Sequence, residues 1–217
     1  MKIFLDTANI EEIRKADATG LIDGVTTNPT LILKSGKDPV ETIREISQEF
    51  PHFESISAEV VADDALEMLE QAQVFRDMPN VTIKVPCTVE GLKACKLLCA
   101  AGFTTNVTLV FSVAQAILAA KAGATYVSPF VGRVSDNSFG GIELIRSISE
   151  CYREHMVRTN ILSASLREVS QVSQSFTCGA EVCTMPVKVF DKMYDHVLTE
   201  KGLELFQKDW DSINGTV

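Results

Sequence analysis

The residue with the most chemical potential in this chain is Lys84, set in the run Val81-Thr-Ile-Lys-Val85-Pro86. Side chains of an extended segment alternate between two faces. Ile83 and Val85 therefore share one face, and Thr82 and Lys84 the other. An amine held between apolar strands loses hydration, which favours its neutral, nucleophilic form. A lysine of this kind attacks carbonyls to give a Schiff base. Taken in isolation, the commoner alternative is a lysine snorkelling off a strand end. Two carboxylates from well-separated segments, Asp6 and Glu59, could supply the proton transfers that Schiff-base cleavage of a carbon–carbon bond requires. The alternative is a structural ion pair with Lys84, and the two readings overlap, because such a pair can become a proton relay.

Lys84 has company on its face. One segment ends in Asp6, and others present Thr26 and Asn28, Ser57 and Glu59, Thr104, Asn106 and Thr108, Ser128, and Ser163 with Ser165. One polar residue closing a strand is ordinary. Seven strands doing so on one face would be costly to bury without a purpose, and a catalytic mouth is the reading that explains them together. Arginines follow two of these ends. Ser128-Pro-Phe-Val-Gly-Arg133 leaves the sixth strand, and Ser165-Leu-Arg167 leaves the seventh and is expected to open a helix. Two guanidinium groups at neighbouring mouths, one of them at a helix N-terminus, would make a forked phosphate site. His52, His155 and His196 show no metal-ligand spacing, and neither a P-loop nor a GxSxG elbow occurs. No metal or cofactor is implied.

The elements that must position these groups alternate. Strands are expected at Lys2–Asp6, Gly24–Asn28, Ser55–Val60, Val81–Val85, Phe103–Thr108, Thr125–Ser128, Ile161–Ser165 and Glu181–Met185. Helices are expected at Ile10–Ala16, Val40–Phe50, Asp63–Phe75, Val89–Ala100, Ser112–Ala120, Ile142–Met156, Glu168–Phe176 and Lys188–His196, with Asp63 and Thr88 as N-caps. Alternation of this kind implies a parallel sheet with helical crossovers. Repeats of about 27 residues suit a compact single-domain (β/α)8 TIM barrel over residues 1–217, and no GxGxxG turn favours an open doubly wound sheet. A last amphipathic helix, Glu200–Ile213, carries Leu203, Leu205, Phe206, Trp210 and Ile213 and should be buried somewhere.

Composition sets the boundaries. Of 217 residues, 46% are hydrophobic and 23% charged, enough for one large core. A net charge of −9 disfavours nucleic acid, whose affinity comes from neutralising phosphates, but leaves room for an anionic metabolite in a locally basic pocket. No segment is long and apolar enough for a membrane span. The six cysteines lack CxxC pairing. Cys95 and Cys99 share a helix face, and all six read as small buried hydrophobes in a reducing cytosol, so a cytoplasmic location is expected.

Longer motifs carry a family likeness. Phe4-Leu-Asp-Thr-Ala-Asn9, Gly24-Val-Thr-Thr-Asn-Pro29, Ile83-Lys-Val-Pro86, Thr105-Asn-Val-Thr108, Ala122-Gly-Ala-Thr-Tyr-Val-Ser-Pro-Phe-Val-Gly-Arg133 and Ser163-Ala-Ser165 resemble the small transaldolase family, which includes the fructose-6-phosphate aldolases. The likeness runs from about residue 1 to about residue 210 with its motifs in order. It implies a barrel with the Schiff-base lysine on the fourth strand, at Lys84. It also implies transfer of a dihydroxyacetone unit from sedoheptulose 7-phosphate or fructose 6-phosphate to glyceraldehyde 3-phosphate or erythrose 4-phosphate, in the pentose phosphate pathway. By the same resemblance Asp6 abstracts the C4 hydroxyl proton, and Glu59 with Thr108 holds a catalytic water. Asn28, Asn106 and Ser128 bind the dihydroxyacetone hydroxyls, and Arg133, Ser165 and Arg167 bind phosphate; Thr26 and Phe130 are expected among the substrate-binding residues. The segment after Ser165 reads Leu-Arg-Glu where members more often have Phe or Ile and then Arg-Asn.

Within the family, transaldolases resemble one another in having Glu and Phe at the positions of Glu59 and Phe130, where aldolases releasing free dihydroxyacetone tend to have Gln and Tyr. A transaldolase is therefore expected. The alternatives are a fructose-6-phosphate aldolase and, from another class, a non-catalytic sugar-phosphate-binding barrel. The resemblance further implies a homo-oligomer, a pentamer or decamer, with the C-terminal helix packed on a neighbour; packing on its own barrel is the other option.

Overall fold

The β-branched and apolar runs form β1 (Lys2–Asp6), β2 (Gly24–Thr26), β3 (Ser55–Glu59), β4 (Val81–Pro86), β5 (Thr104–Val110), β6 (Tyr126–Pro129), β7 (Asn160–Ser163) and β8 (Val182–Met185). In the computed structural model, which describes residues 1–213 and 215, these strands pair in parallel and in chain order, and β1 pairs with β8 to close the ring. The protein is a (β/α)8 TIM barrel. Residues 214, 216 and 217 of the expected 1–217 span lie outside the described residues.

Around the barrel run α1 (Ile10–Asp17), α2 (Pro29–Ser35), α3 (Pro39–Glu49), α4 (Ala65–Ala72), α5 (Val89–Ala100), α6 (Val113–Lys121), α7 (Val131–Asp136), α8 (Gly141–Glu154), α9 (Val169–Thr177), α10 (Val187–Asp191) and α11 (Val197–Ile213). Local chemistry sets many of their starts. Thr88 caps α5 by accepting from Gly91 N at 3.0 Å, as expected. At α4 the cap is Asp64 rather than Asp63. Its carboxylate accepts from the N–H groups of Leu66 and Glu67, because the capping residue must directly precede the first helical one.

Two helices were not expected, and both adjoin the barrel mouth. Asn28, expected as the end of β2, instead caps α2 through Leu31 N at 3.0 Å, with Pro29 at the first helical position. Six residues of the loop after β6 form α7. The helix expected over Lys188–His196 is shorter, with α10 ending at Asp191, and the last helix, expected from Glu200, starts earlier, at Val197.

The core has two compartments. The larger lies between the sheet and the helices and includes Leu5, Val25, Ile56, Ile83, Val107 and Leu98. The smaller, Phe4, Tyr126, Leu162, Ala164 and Val182, fills the inside of the barrel from the β1 and β6–β8 side, with Phe4 and Tyr126 edge to face at 6.2 Å. Gly24 makes room for this arrangement. A Cβ at that position would sit 2.4 Å from the Ser55 carbonyl oxygen and 2.9 Å from the Phe4 ring. The β3–β5 side of the interior is polar instead. Ser55 Oγ donates to Thr82 Oγ1 at 2.8 Å, and Thr82 Oγ1 meets Thr104 Oγ1 at 3.0 Å. Polar groups thus ascend the interior toward Lys84, two residues beyond Thr82 on the same face.

Candidate active site

Parallel strands in register bring Lys84 level with Glu59 on β3 and Asn106 on β5. Lys84 is only 7% exposed. Its Nζ donates to the Thr27 carbonyl oxygen at 2.9 Å and lies 3.0 Å from Glu59 Oε2. These two contacts aim the amine into a cavity of about 450 Å³ at the C-terminal end of the strands, the end at which barrel enzymes place their chemistry. Asp6 enters from β1. Its carboxylate accepts from Thr26 Oγ1 at 2.9 Å, and that hydroxyl in turn meets Thr184 Oγ1 at 2.6 Å. Burial pushes the Asp6 carboxyl above the usual carboxylate range, while the Thr26 hydrogen bond and the charge of Lys84 pull part of the way back.

The amine therefore has two carboxylates in its neighbourhood: Glu59 as its ion-pair partner, and Asp6, whose burial favours its holding a proton. On the next strands Ser128 Oγ donates to Asn106 Oδ1 at 2.7 Å. That bond fixes which way the Asn106 amide faces and leaves Asn106 Nδ2 without a protein partner; Thr108 Oγ1 also lacks one. Both residues are buried and line the cavity. A buried polar group left unpaired costs about 1–3 kcal/mol, so this wall is built to donate to something that enters.

The rim adds a cation. Arg133, on α7, lines the cavity with its guanidinium 4.9 Å from the centre of the Phe130 ring, and Phe111 meets Phe130 edge to face at 5.8 Å. Gly132 is required here: its N–H donates to the Ser165 carbonyl at 3.1 Å, and a Cβ would lie 2.2 Å from that oxygen. Ser165 itself takes a left-handed backbone, φ 60°. This abrupt turn at the exit of β7 brings its side chain to the cavity.

A model of the Transaldolase/Fructose-6-phosphate aldolase family matches residues 3–217. The chain belongs to that family. Among its relatives, a probable transaldolase of Paracoccus denitrificans is 50% identical over 213 residues, which cover 97% of this chain and 96% of that protein. Probable transaldolases of Pelotomaculum thermopropionicum and Clostridioides difficile are each 48% identical, covering 98% and 97% of this chain and 99% and 97% of theirs.

In this member of the transaldolase/fructose-6-phosphate aldolase family, the structure gathers Lys84, Asp6, Glu59, Thr108, Thr26, Asn28, Asn106, Ser128, Phe130, Arg133 and Ser165 around one cavity. Arg167 is placed differently. It precedes α9 rather than opening it, its guanidinium is engaged with the Asp136 carboxylate, and it does not line the cavity. Ser163 departs from expectation as well. On β7 the inward residues are Leu162 and Ala164, whereas Ser163 points outward and bonds Ser175 Oγ on α9 at 2.8 Å. The positive φ of Ser165 breaks the alternation that had placed both serines on one face.

Among the contributors that escaped the sequence reading, three differ in how visible they were. Thr184 on β8 was accessible to the parity rule used on the other strands, since Val182 and Thr184 share a face. The Thr27 carbonyl has no sequence signal at all. Leu109 lines the cavity because it takes φ 59° where β5 shifts register against β6, an irregularity invisible in its residue type. Among the described residues, no helix is long and apolar enough to cross a membrane.

Proposed function

We propose that this protein is a transaldolase that moves a dihydroxyacetone unit between sugar phosphates through a Schiff base on Lys84. The observation that carries this reading is an almost fully buried amine, 3.0 Å from one carboxylate and within the field of a second, facing a cavity whose wall presents unpaired hydrogen-bond donors.

In the resting protein the Lys84 amine is tied to Glu59, so a proton must leave before the nitrogen lone pair can attack a ketose carbonyl. Glu59 is the nearest acceptor, and with Thr108 it holds the water that carries protons while the carbinolamine loses its hydroxyl. Asp6 takes the proton from the C4 hydroxyl. As that oxygen forms a carbonyl, the C3–C4 bond breaks and its electron pair moves into the protonated imine, leaving an enamine on Lys84 and releasing the aldose phosphate. The proton held by Asp6 returns when the enamine attacks the acceptor aldehyde. Asn106, Ser128, Asn28 and Thr26 contact the dihydroxyacetone hydroxyls. Arg133 and Ser165 receive the phosphate, with Arg167 joining if the phosphate dianion displaces Asp136. Phe130 has no hydroxyl to protonate the enamine, so the intermediate persists until an acceptor arrives.

The same reading assigns the protein to the pentose phosphate pathway in the cytoplasm and to a homo-oligomer, a pentamer or decamer. Leu203, Phe206, Trp210 and Ile213 on α11 are all exposed on the single chain, 63–78% each, as a helix that packs on a second copy would be.

Borohydride reduction in the presence of fructose 6-phosphate is the direct test. Trapping of the dihydroxyacetone unit should add mass on the peptide containing Lys84, and Lys84→Ala should abolish both the label and turnover. An unlabelled Lys84 would leave a sugar-phosphate-binding barrel without this chemistry. Release of free dihydroxyacetone from fructose 6-phosphate alone, at the rate seen with erythrose 4-phosphate, would make the protein a fructose-6-phosphate aldolase.

A further inference from the structure

On the helix-facing side of β5, away from the catalytic cavity, two cysteines converge. Cys95 and Cys99 are four residues apart on the last turns of α5, and both point at one buried hydroxyl: Thr105 Oγ1 lies 3.4 Å from Cys95 Sγ and 3.3 Å from Cys99 Sγ. Cys95 is fully buried, whereas Cys99 is partly exposed. Next to Cys99 stands Gly123, whose backbone carbonyl is 3.2 Å from the sulfur and which has no side chain to cover it; even a Cβ there would lie 3.8 Å away. Cys87 and Cys183, by contrast, each face a separate backbone carbonyl.

The pair is chemically unequal. The neighbouring Cys95 thiol lowers the Cys99 thiol to about 6, while Cys99 and burial together push Cys95 up. The carbonyl of Gly123 and the C-terminal end of α5 oppose a full thiolate at Cys99.

That geometry selects among thiol chemistries. Residues four apart on a helix keep their Cβ atoms roughly 5–6 Å apart, whereas a disulfide needs roughly 3.5–4.5 Å. Direct S–S bonding would therefore require the end of α5 to unwind. A single atom inserted between the sulfurs removes that conflict, because each sulfur then bonds the inserted atom while the helix keeps its shape. We infer that Cys95 and Cys99 together form a ligand site for one thiophilic centre that accepts two sulfurs, of the trivalent arsenical class. With an arsine oxide, two S–As bonds form and the arsenic–oxygen bond breaks. The two thiol protons leave with that oxygen as water, and arsenic stays trivalent, so neither an oxidant nor a reductant is consumed.

Phenylarsine oxide is the probe, applied to the full chain and followed by excess monothiol to strip singly bonded adducts. Intact-mass spectrometry should show one arsenical retained per chain, mapped to the peptide holding Cys95 and Cys99 and released by a dithiol. Cys99→Ser and Cys95→Ala should each weaken retention by on the order of a hundredfold, the advantage of a second linked bond, while Cys151→Ser retains the adduct. Cys99→Ser alters a partly exposed side chain and keeps the test decisive if Cys95→Ala fails to fold. Failure of the wild-type chain to retain an arsenical, or undiminished retention in Cys99→Ser, would overturn the proposal. So would ready formation of a Cys95–Cys99 disulfide under hydrogen peroxide with helical circular dichroism unchanged, since that would show the sulfurs can close without an inserted atom.

Discussion

Replacing Thr108 by valine separates the cost of the proposed site from its benefit. The side chain is buried, its Oγ1 has no protein partner, and it lies two residues beyond Asn106 on β5. Valine has nearly the same shape, so packing against the neighbouring strands is retained and only the hydroxyl is exchanged for a methyl. Removing an unpaired buried hydroxyl relieves a penalty of about 1–3 kcal/mol. A water held between Thr108 and Glu59 recovers part of that penalty in the native protein, which puts the expected gain near the low end, about 1 kcal/mol. For a chain of this length that corresponds to a rise in Tm of roughly 2–4 °C. Turnover should move the other way. General acid–base assistance is typically worth about 10²–10⁴-fold, and Thr108 is one of two groups assigned to position the water, so kcat should fall by about 10–100-fold. Differential scanning calorimetry and a coupled assay with fructose 6-phosphate and erythrose 4-phosphate measure both quantities on one preparation. A variant that is less stable and fully active would refute the reasoning, because Thr108 would then be a satisfied structural hydroxyl.

Other substitutions test other parts of the cavity. Asp6→Asn keeps an acceptor for Thr26 and should abolish carbon–carbon cleavage. Its effect on stability has a definite sign: with its carboxyl raised, folded Asp6 keeps a proton in a pH range where the unfolded chain has lost it, so stability falls as pH rises from the ordinary value of 3.8 through the raised one. Asp6→Asn should remove that fall and raise Tm at neutral pH, and an unchanged pH–Tm profile would count against the burial account. Phe130→Tyr should increase release of free dihydroxyacetone in the absence of acceptor, measured by product assay; no increase would leave the role of the missing hydroxyl unsupported. Arg133→Ala should raise KM for sugar phosphates by about tenfold, as expected for loss of a charge-assisted hydrogen bond. Arg167→Ala should have the smaller effect because its guanidinium is already held by Asp136, and the reverse order would show that phosphate displaces that carboxylate.

The polarity of the barrel interior explains why the site lies where it does. Phe4, Tyr126, Leu162 and Val182 fill one side with apolar volume, and Ser55, Thr82 and Thr104 fill the other with a hydrogen-bonded ladder. Lys84 and Asn106 continue that ladder upward. Most polar side chains on that side meet one another before they meet the cavity. Of the three buried side-chain atoms left unpaired among the described residues, Asn106 Nδ2 and Thr108 Oγ1 belong to residues lining the cavity, and Ser57 Oγ lies one layer below, level with Thr82.

Residue types alone were enough to determine the alternation of strands and helices, the closed barrel, and the shared face of Thr82 with Lys84 and of Asn106 with Thr108, because the two-residue period of a strand is a local property. The same rule reached Asp6, Glu59 and Ser128 from strands far apart in the chain. It failed where the backbone leaves that period. Ser163 faces outward by the parity of Leu162 and Ala164, while Ser165, at φ 60°, leaves that parity and reaches the cavity; Leu109 reached the cavity through a register shift; Asn28 became a helix cap. What only the tertiary structure decided is pairing: that the Lys84 amine rests on the Thr27 carbonyl and Glu59, that Asn106 is oriented by Ser128, and that Asp136 claims Arg167. A charge or a donor is written in the chain, but its partner is set by which strands and loops come within about 3 Å of it, and that is settled only when the barrel closes.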